Sequence, residues 1–359
     1  LCWSNELVLH VIELKTNGPA ETLQGLAEYF QKGVTQVNRH LTELDGQMMP
    51  GAMHPWMNPL TETRLWPHGD NSIYAAYNRV FGCQGHGWSN LQSTHLNLPF
   101  QGDEEFARLH AAIRLILPLL PALAASSPVV DSRYSGLLDN RLRAYQLNQR
   151  KIPLITGTFI PEAVFSKQAY QQEILQPIYE AIAPYDSDGI LQHEWLNSRG
   201  AIARFERNAI EIRLLDVQEC PAADLAIIEL ICAVLKALVE ERWCSLAEQQ
   251  RWSETVLAKW LLAAIGDGER ARIDNTEYLS LFACARKRST MGELWQHLAG
   301  ALRPKMVAKP GMPLEVLLNK GPLARRIIKS LGSSPSRKQL GVTYSGLSDC
   351  LTRGEMYHG

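Results

Sequence analysis

The sequence predicts an α+β fold in which helices cover one face of a largely antiparallel sheet. Two observations lead to this class. Three short segments alternate between apolar and polar residues with period two, and long stretches with helical periodicity separate them. The sequence contains no internal repeat and neither a GxGxxG nor a GxxxxGKS/T phosphate loop. A nucleotide would therefore bind without a Rossmann or P-loop scaffold.

The predicted strands are residues 8–16 (VLHVIELKT), 91–98 (LQSTHLNL) and 209–217 (AIEIRLLDV). Successive side chains of a strand point to opposite faces, so each segment would present one apolar and one polar face. Because the segments lie far apart in the chain, we do not expect them to form hairpins with one another.

Helices are predicted at residues 19–44, 103–117, 168–183 and 221–242. The second begins at Asp103, and further acidic residues in its first turn complement the positive end of a helix. The fourth begins with Pro221, which a first helical turn tolerates.

Composition excludes several classes of partner. The 359 residues include 36 basic and 37 acidic side chains, a formal net charge of −1, so no global field would attract nucleic acid or an anionic membrane. The two most apolar stretches, residues 115–125 and 222–239, contain prolines or charges and are interpreted as buried helices. Seven scattered cysteines without a CxxC pair indicate a reduced, cytoplasmic protein.

Two regions are predicted along the chain. Residues 1–265 would form a catalytic core, and residues 268–359 a basic, helical C-terminal extension. The charge runs of this extension, Arg286-Lys287-Arg288 and Ala324-Arg325-Arg326, are interpreted as solvated helix faces. The Leu/Ile-rich helices could supply the face of a homodimer.

Polar side chains in the strands form the first candidate site. Ser93, His95 and Asn97 share a face of the second strand, and Glu211 and Arg213 share a face of the third. Each could simply be an exposed residue on a half-buried sheet. Together with Glu13 of the first strand, however, two carboxylates, an imidazole and an arginine would suit a divalent cation and a phosphate.

Two further groups of residues are less specific. Ser126-Ser127-Pro128 precedes Gly136 and the run Asp139–Arg143, which composition alone interprets as a capped helix with a solvated face. The loops His54-Pro55-Trp56 and His86-Gly87-Trp88 could line a pocket or simply pack.

At these residues the sequence resembles glutamate-cysteine ligase family 2, which also contains many bacterial carboxylate-amine ligases. The matching motifs keep the family's order over roughly residues 5–245. They are Glu13 in IELKTNGP, MHPW at 53–56, His95 in STHLN, AASSP at 124–128 with Gly136 and Arg141, and Glu211-Ile212-Arg213 with Asp216.

The resemblance implies a glutamine-synthetase-like fold, with a curved, mostly antiparallel sheet forming a funnel and helices outside. It also implies an ATP-dependent ligase that joins a glutamate-like carboxylate to an amine or amino acid through an acyl phosphate. Glu13, His95 and Glu211 would hold Mg²⁺, Arg213 would contact the transferred phosphate, and Arg141 the substrate carboxylate or phosphates, with Asn97 nearby in the ATP site.

One departure from the family concerns the Glu-x-Glu motif of its first strand, which no residue upstream of Glu6 can provide here. Because the chain begins with Leu rather than Met, we expect that this segment is omitted here. Two alternatives stay open: a catalytically silent binding or regulatory protein that keeps the fold, and a metal-dependent hydrolase. The identity of the amine is not readable from the sequence.

Overall fold

A computed structural model describes residues 1–69, 71–302 and 312–359. Strands and helices are numbered separately along the chain. The strands are β1 (Cys2–Asn5), β2 (Ile12–Lys15), β3 (Ser93–Pro99), β4 (Val129–Val130), β5 (Arg133–Tyr134), β6 (Ala201–Arg204), β7 (Ala209–Asp216), β8 (Arg272–Ile273) and β9 (Ser289–Thr290).

The helices of the first half are α1 (Leu26–Thr42), α2 (Pro59–Glu62), α3 (Ser72–Phe81), α4 (His86–Ser89), α5 (Gly102–Ile116), α6 (Pro121–Ala124), α7 (Asn140–Leu147), α8 (Lys167–Tyr170) and α9 (Gln176–Ile182), with a π-helical turn, Gln171–Leu175, joining the last two. Those of the second half are α10 (Pro221–Val239), α11 (Leu246–Gln250), α12 (Glu254–Asp267), α13 (Thr276–Ser280), α14 (Met291–Leu302), α15 (Met312–Lys320), α16 (Leu323–Leu331) and α17 (Arg337–Arg353).

Antiparallel pairing joins the strands, as the sequence predicted. The largest sheet has the order β3-β7-β6, and β1 pairs with β2. The predicted second and third strands are therefore direct neighbours, although more than a hundred residues separate them. Helices occupy much of the remaining chain, which confirms the mixed α and β class.

The prediction of one strand at residues 8–16 was wrong in its first half. Only Ile12–Lys15 forms β2. The residues before it connect it to β1, with which it pairs in antiparallel fashion. The alternating residues that precede β2 instead follow a neighbouring loop, through a bridge between Val8 and Leu65 and the Leu9 N–H bond to the Arg64 carbonyl. Alternation of apolar and polar residues predicts a strand at residues 8–16, but only the second half of this segment forms one.

The apolar face of β7 is fully covered by helices. Ile210, Ile212 and Leu214 have no exposed surface, and α5 and α6 lie against this strand. The long helix α10 in turn contacts α1, α5, α14 and α15. This burial explains why the polar side chains of β7 project to the opposite face, where the candidate site lies.

The predicted helices are present with shifted ends. The one expected at residues 19–44 begins only at Leu26, and that expected at 168–183 contains the π-helical turn. No helix among the described residues is long and apolar enough to cross a membrane. The apolar stretches at 115–125 and 222–239 lie largely inside the hydrophobic core, which continues into α14 and α15.

The C-terminal helices are only partly solvated. Arg286, Lys287 and Arg288 are exposed, as predicted, but they lie in the loop between α13 and β9 rather than on a helix face. Arg326 contradicts that expectation, because it lies buried against Glu219 rather than on a solvated face. The division at residues 265 and 268 stays a prediction, and residues 303–311 of the extension lie outside the described part of the chain.

Candidate active site

A β-bulge lies at the centre of the polar face. In the register of β3 and β7, Thr94 pairs with Leu215 and Leu96 with Ile212, so His95 faces two residues of β7. Bulges of this kind redirect side chains and are common beside functional sites. A Cβ atom on Gly200 would lie 2.6 Å from Leu214 Cδ1, so glycine allows the neighbouring chain to approach the bulge closely.

Glu211 is the most strongly paired carboxylate of the face. Its Oε1 accepts a hydrogen bond from Arg213 Nη2 and lies 3.5 Å from His95 Nδ1, while its Oε2 lies 3.4 Å from Arg204 Nη1. Burial would raise the pKa of Glu211, but the charge of Arg213 and its other cationic neighbours outweigh burial and lower it to about 2. Glu211 is therefore ionised at neutral pH.

His95 projects from β3 toward Glu211. The side chain is 40% exposed, with Glu211 and Ser93 beside it; we refer to this part of the surface, between β3 and β7, as the recess. Desolvation lowers the pKa of His95 to about 4, and the attraction of Glu211 does not compensate. Its Nε2 also lies 2.9 Å from Ser93 Oγ. A neutral imidazole is the form that binds metal ions.

Glu13 of β2 approaches the same recess from the small sheet. Its Oε2 accepts hydrogen bonds from Ser4 and from Lys15, whose Nζ lies 2.7 Å away. Burial opposes ionisation, but these hydrogen bonds outweigh it and lower the pKa of Glu13. The ammonium of Lys15 thus occupies one side of a carboxylate predicted to bind metal.

Glu6 is a site residue for which sequence reasoning assigned no role. It follows β1, and its carboxyl group is close enough to Glu13 and Arg213 for their charges to affect its ionisation. Burial and the charge of Glu13 raise the pKa of Glu6. Two carboxylates that disfavour each other's ionisation form an environment in which a bound cation would be favourable.

Arg213 forms hydrogen bonds with several residues around the face, but one of its N–H donors has no partner in the described part of the chain. Its Nη1 donates to Tyr145 Oη at 3.3 Å and to the Asn197 carbonyl at 3.4 Å, whereas its buried Nε has no partner among the protein atoms that the structure describes. The charge of Glu211 outweighs burial and raises the pKa of Arg213, which stays cationic.

Arg141 lies behind Arg213 and is 2% exposed. Its Nε donates to Asp216 Oδ1, and its Nη1 donates to the Arg213 carbonyl at 3.3 Å. Its buried Nη2, like Arg213 Nε, finds no hydrogen-bond acceptor in the described part of the protein. Buried donors without partners are uncommon in folded proteins. Neither atom is exposed, so an anionic ligand can reach them only if neighbouring side chains move.

Asp216, at the end of β7, fixes the loop that carries Ser126 and Ser127. Its Oδ2 accepts hydrogen bonds from the Ser126 N–H at 2.8 Å and the Ser127 hydroxyl at 2.9 Å. Asp139 caps α7 by accepting from the Leu142 N–H, as the sequence predicted, but the helix that it caps turns Asn140, Arg141 and Leu142 inward. The expectation of a solvated face was therefore wrong at these residues.

The loops that contain His54 and His86 pack against each other through Asn90. Asn90 accepts from the His54 N–H at 2.7 Å and donates to the His54 carbonyl at 3.0 Å, and its Nδ2 lies 3.1 Å from His86 Nδ1. Trp56 contacts the C-terminal helix α17, where the Arg337 guanidinium lies 4.0 Å from its ring centroid. Trp88 stacks on Phe81.

The predicted metal ligands are neighbours but do not form a ready coordination shell. Among the described residues, no three His, Cys, Asp or Glu side chains are grouped closely enough to hold a metal ion. The ionised oxygens of Glu13 and Glu211 nevertheless fit Mg²⁺, which prefers oxygen ligands, whereas the neutral nitrogen of His95 is a donor more typical of zinc and other transition metals. A cation would have to displace Lys15 or Arg213 from these oxygens.

The structure thus brings Glu13, His95, Glu211 and Arg213 to one recess and places Arg141 behind it. Asn97 is exposed and lies directly opposite Glu211 in the β3–β7 register. Arg204 and Tyr145 also belong to the site but carry no local signal in the sequence that distinguishes them from ordinary surface residues.

Comparisons with known proteins agree on one family. The sequence profile of glutamate-cysteine ligase family 2 matches residues 3–299. An uncharacterized protein of Archaeoglobus fulgidus (strain ATCC 49558 / DSM 4304 / JCM 9628 / NBRC 100126 / VC-16) is 35% identical over 354 residues, 98% of this chain and 87% of that protein. A Bradyrhizobium sp. (strain ORS 278) protein named "Putative glutamate--cysteine ligase 2" is 33% identical over 133 residues, 37% of this chain and 28% of its own length.

Proposed function

This chain belongs to glutamate-cysteine ligase family 2, and on that premise we propose that it is an ATP- and magnesium-dependent ligase that joins a glutamate-like carboxylate to an amine or amino acid. Family membership supports the coarser part, a carboxylate-amine ligase of the glutamate-cysteine ligase type. The use of ATP rests on one observation: Arg213 lies beside an ionised Glu211 and a neutral His95 and keeps a buried N–H without a protein partner.

The proposed reaction begins with activation of the carboxylate, because an ionised carboxylate is a poor electrophile. Its oxygen attacks the γ-phosphorus of ATP, the bond to ADP breaks, and an acyl phosphate forms. Arg213 would stabilise the negative charge on the transferred phosphoryl group through its unused Nε. Arg141 would hold the Arg213 backbone and offer its own Nη2 to the substrate carboxylate or a phosphate.

Magnesium, when bound, would neutralise phosphate charge, and Glu6, Glu13, His95 and Glu211 are the residues that would hold it. Because Glu6 and Glu13 disfavour each other's ionisation, the protein supplies negative potential at that point. Asn97, exposed opposite Glu211, would donate to a nucleotide oxygen from the rim of the recess.

The second step needs no protein nucleophile. The amine nitrogen attacks the carbonyl carbon of the acyl phosphate, the carbon–oxygen bond to phosphate breaks, the amine loses a proton that the leaving phosphate can take up, and an amide remains. We also propose that the β1-β2 and β3-β7-β6 sheets belong to one glutamine-synthetase-like funnel, which would shield the acyl phosphate from water.

Hydroxylamine tests this proposal without knowledge of the natural amine, because it traps acyl phosphates as hydroxamates. Protein incubated with Mg²⁺, ATP, glutamate and hydroxylamine should release ADP and form one hydroxamate per ADP. Reactions without glutamate, or with EDTA, control for a simple ATPase. Failure to produce hydroxamate across a panel of amino-dicarboxylates and related acids would overturn the proposal.

A catalytically silent binding protein is the second candidate function. The observation that favours it is that Lys15 and Arg213 already neutralise Glu13 and Glu211. In that case the protein should bind ATP or glutamate in calorimetry but release no ADP under any of the conditions above.

A further inference from the structure

A buried ion pair joins the C-terminal helices to the end of β7. Arg326 of α16 and Glu219 are 1% and 0% exposed, and the guanidinium contacts both carboxylate oxygens of Glu219, with 3.3 Å between Nη2 and Oε2. Arg326 also donates to the carbonyls of Gly321 and Tyr357, and the Tyr357 N–H donates back to Glu219 at 3.3 Å. Every nitrogen of this guanidinium therefore has a partner.

Glu219 belongs to a segment, residues 216–219, that supports the candidate site; we refer to it as the strand-end segment. Asp216 begins it and holds Arg141 and both serines of the neighbouring loop. Gln218 reinforces it, because its Nε2 donates at 2.7 Å to the Ala124 carbonyl and at 2.7 Å to the Asp216 carbonyl. A displacement of Glu219 would therefore be transmitted to Arg141.

The start of α16 also contacts the loop that carries Ser126 and Ser127, which Asp216 holds. The Ala324 N–H donates to the Ala125 carbonyl at 2.9 Å, immediately before Ser126. Leu323 and Ile327 pack with Val129 and with Leu340 and Tyr344 of α17. Two contacts from one short helix thus fix the loop before β4 and the segment after β7 relative to each other.

We propose that Arg326 and Glu219 are positioning residues for the ligase reaction, an inference that rests on the proposed function. They hold the strand-end segment so that Asp216 orients Arg141, and Arg141 in turn orients the Arg213 backbone. Helix α16, which supplies Arg326, and its neighbour α17 lie beyond residue 299, where the family profile ends. The catalytic arginines therefore depend on a part of the chain that the family motifs do not include.

The chain offers a control pair on the same helix, less buried than the first, with side chains 19% and 20% exposed against 1% and 0%. Arg325 also pairs with a glutamate, Glu269, at 2.8 Å, and donates to the Asp267 carbonyl at 3.0 Å, but it does not contact the strand-end segment. Arg326→Met and Arg325→Met each remove one arginine–glutamate pair from α16. A role in positioning predicts different effects on the site, whereas a general role of the helix predicts similar ones.

The first measurement is independent of activity. Hydrogen exchange of the intact protein should be at least tenfold faster at the amides of Ser126 and Arg141 in Arg326→Met, and unchanged there in Arg325→Met. These amides donate to Asp216 and Ser127 and so report the strand-end segment. Equal exchange in the two variants would overturn the proposal, even if the protein turned out not to be a ligase.

The second measurement addresses folding, since Arg326→Met leaves Glu219 buried without its partner. The double variant Glu219→Leu/Arg326→Met replaces the pair by apolar side chains and should recover the thermal midpoint. We expect its hydroxamate kcat to stay at least tenfold below wild type with the KM for ATP within threefold. Recovery of both the thermal midpoint and kcat would show that the pair contributes stability alone, which contradicts a positioning role.

Discussion

Two arginine–glutamate pairs in this protein have opposite character. In the recess between β3 and β7, Arg213 pairs with Glu211 but keeps one buried nitrogen without a partner, and so does its neighbour Arg141. Between α16 and the strand-end segment, every nitrogen of Arg326 has a partner. Both networks are buried and charged, yet only the first has donors left for a ligand.

The difference separates a binding role from a structural one. A buried charge is costly unless hydrogen bonds satisfy it, so donors without partners in a buried network require an explanation, and we attribute those of Arg213 and Arg141 to the proposed ligand. The complete network around Arg326 gains nothing from a ligand and instead fixes the relative position of two parts of the chain. The predictions below test this contrast.

The largest effect is expected at the incomplete network. Arg213→Ala should reduce hydroxamate formation by about a hundred- to a thousandfold, the size of effect found when a donor to a transition-state charge is removed. Glu211→Gln should also reduce it, because it removes a proposed Mg²⁺ ligand and the charge that pairs with Arg213. Both variants should keep a wild-type circular dichroism spectrum. Glu206→Gln, an equal change at an exposed carboxylate of the β6–β7 turn, is the control. Normal turnover in both site variants would refute the assignment of the recess.

The strands of this recess could be predicted well because their pattern is local. The predicted strand 209–217 is observed as Ala209–Asp216, and its polar face carries Glu211 and Arg213 as expected. Alternation does not indicate which strands are neighbours, so the β3–β7 pairing and the bulge opposite His95 could not be predicted from it.

Residues whose role depends on distant partners were missed. Glu6 lies after a short strand that has no sequence signature, and its proximity to Arg213 arises only in the folded chain. Arg326 was assigned to a solvated charge run because its partner, Glu219, lies 107 residues earlier. Local patterns thus identified the strand residues, while tertiary packing determined which charges are buried.

The next largest effect is expected on the free energy of unfolding, at Asp216 in the strand-end segment. Asp216→Asn removes the charge that balances Arg141, which is 2% exposed, and should destabilise the protein by about 3–5 kcal/mol. Urea unfolding followed by circular dichroism measures this loss. A change below about 1 kcal/mol would mean that Arg141 does not need Asp216 as its counter-charge.

A smaller, pH-dependent effect is expected at Asp224, which accepts a hydrogen bond from Thr94 at 2.6 Å beside the site. Burial raises the pKa of Asp224 to about 7. The folded protein therefore binds the proton more tightly than the unfolded chain, so this contribution to stability is complete below pH 3.8 and is lost as pH rises to about 7.

Two histidines act in the opposite direction, because the pKa of His95 is lowered to about 4 and that of His110 to about 3. Only the difference between wild type and Asp224→Asn isolates the carboxyl group. Between pH 4 and pH 7 the thermal midpoint of wild type should fall relative to that of the variant. Parallel curves for the two proteins would contradict a raised pKa at this position.

The smallest effect is expected for an ion pair that solvent already surrounds. Arg353 and Glu355 lie 3.0 Å apart with side chains 59% and 61% exposed, so Glu355→Gln should change the free energy of unfolding by less than about 1 kcal/mol. Salt sharpens the contrast, because the screening length falls to about 3 Å at 1 M ionic strength. At that salt concentration the effect of Glu355→Gln should vanish in urea unfolding while that of Asp216→Asn persists, since solvent ions cannot reach a buried pair. If both effects were equally sensitive to salt, burial would not be what distinguishes the two networks from surface pairs.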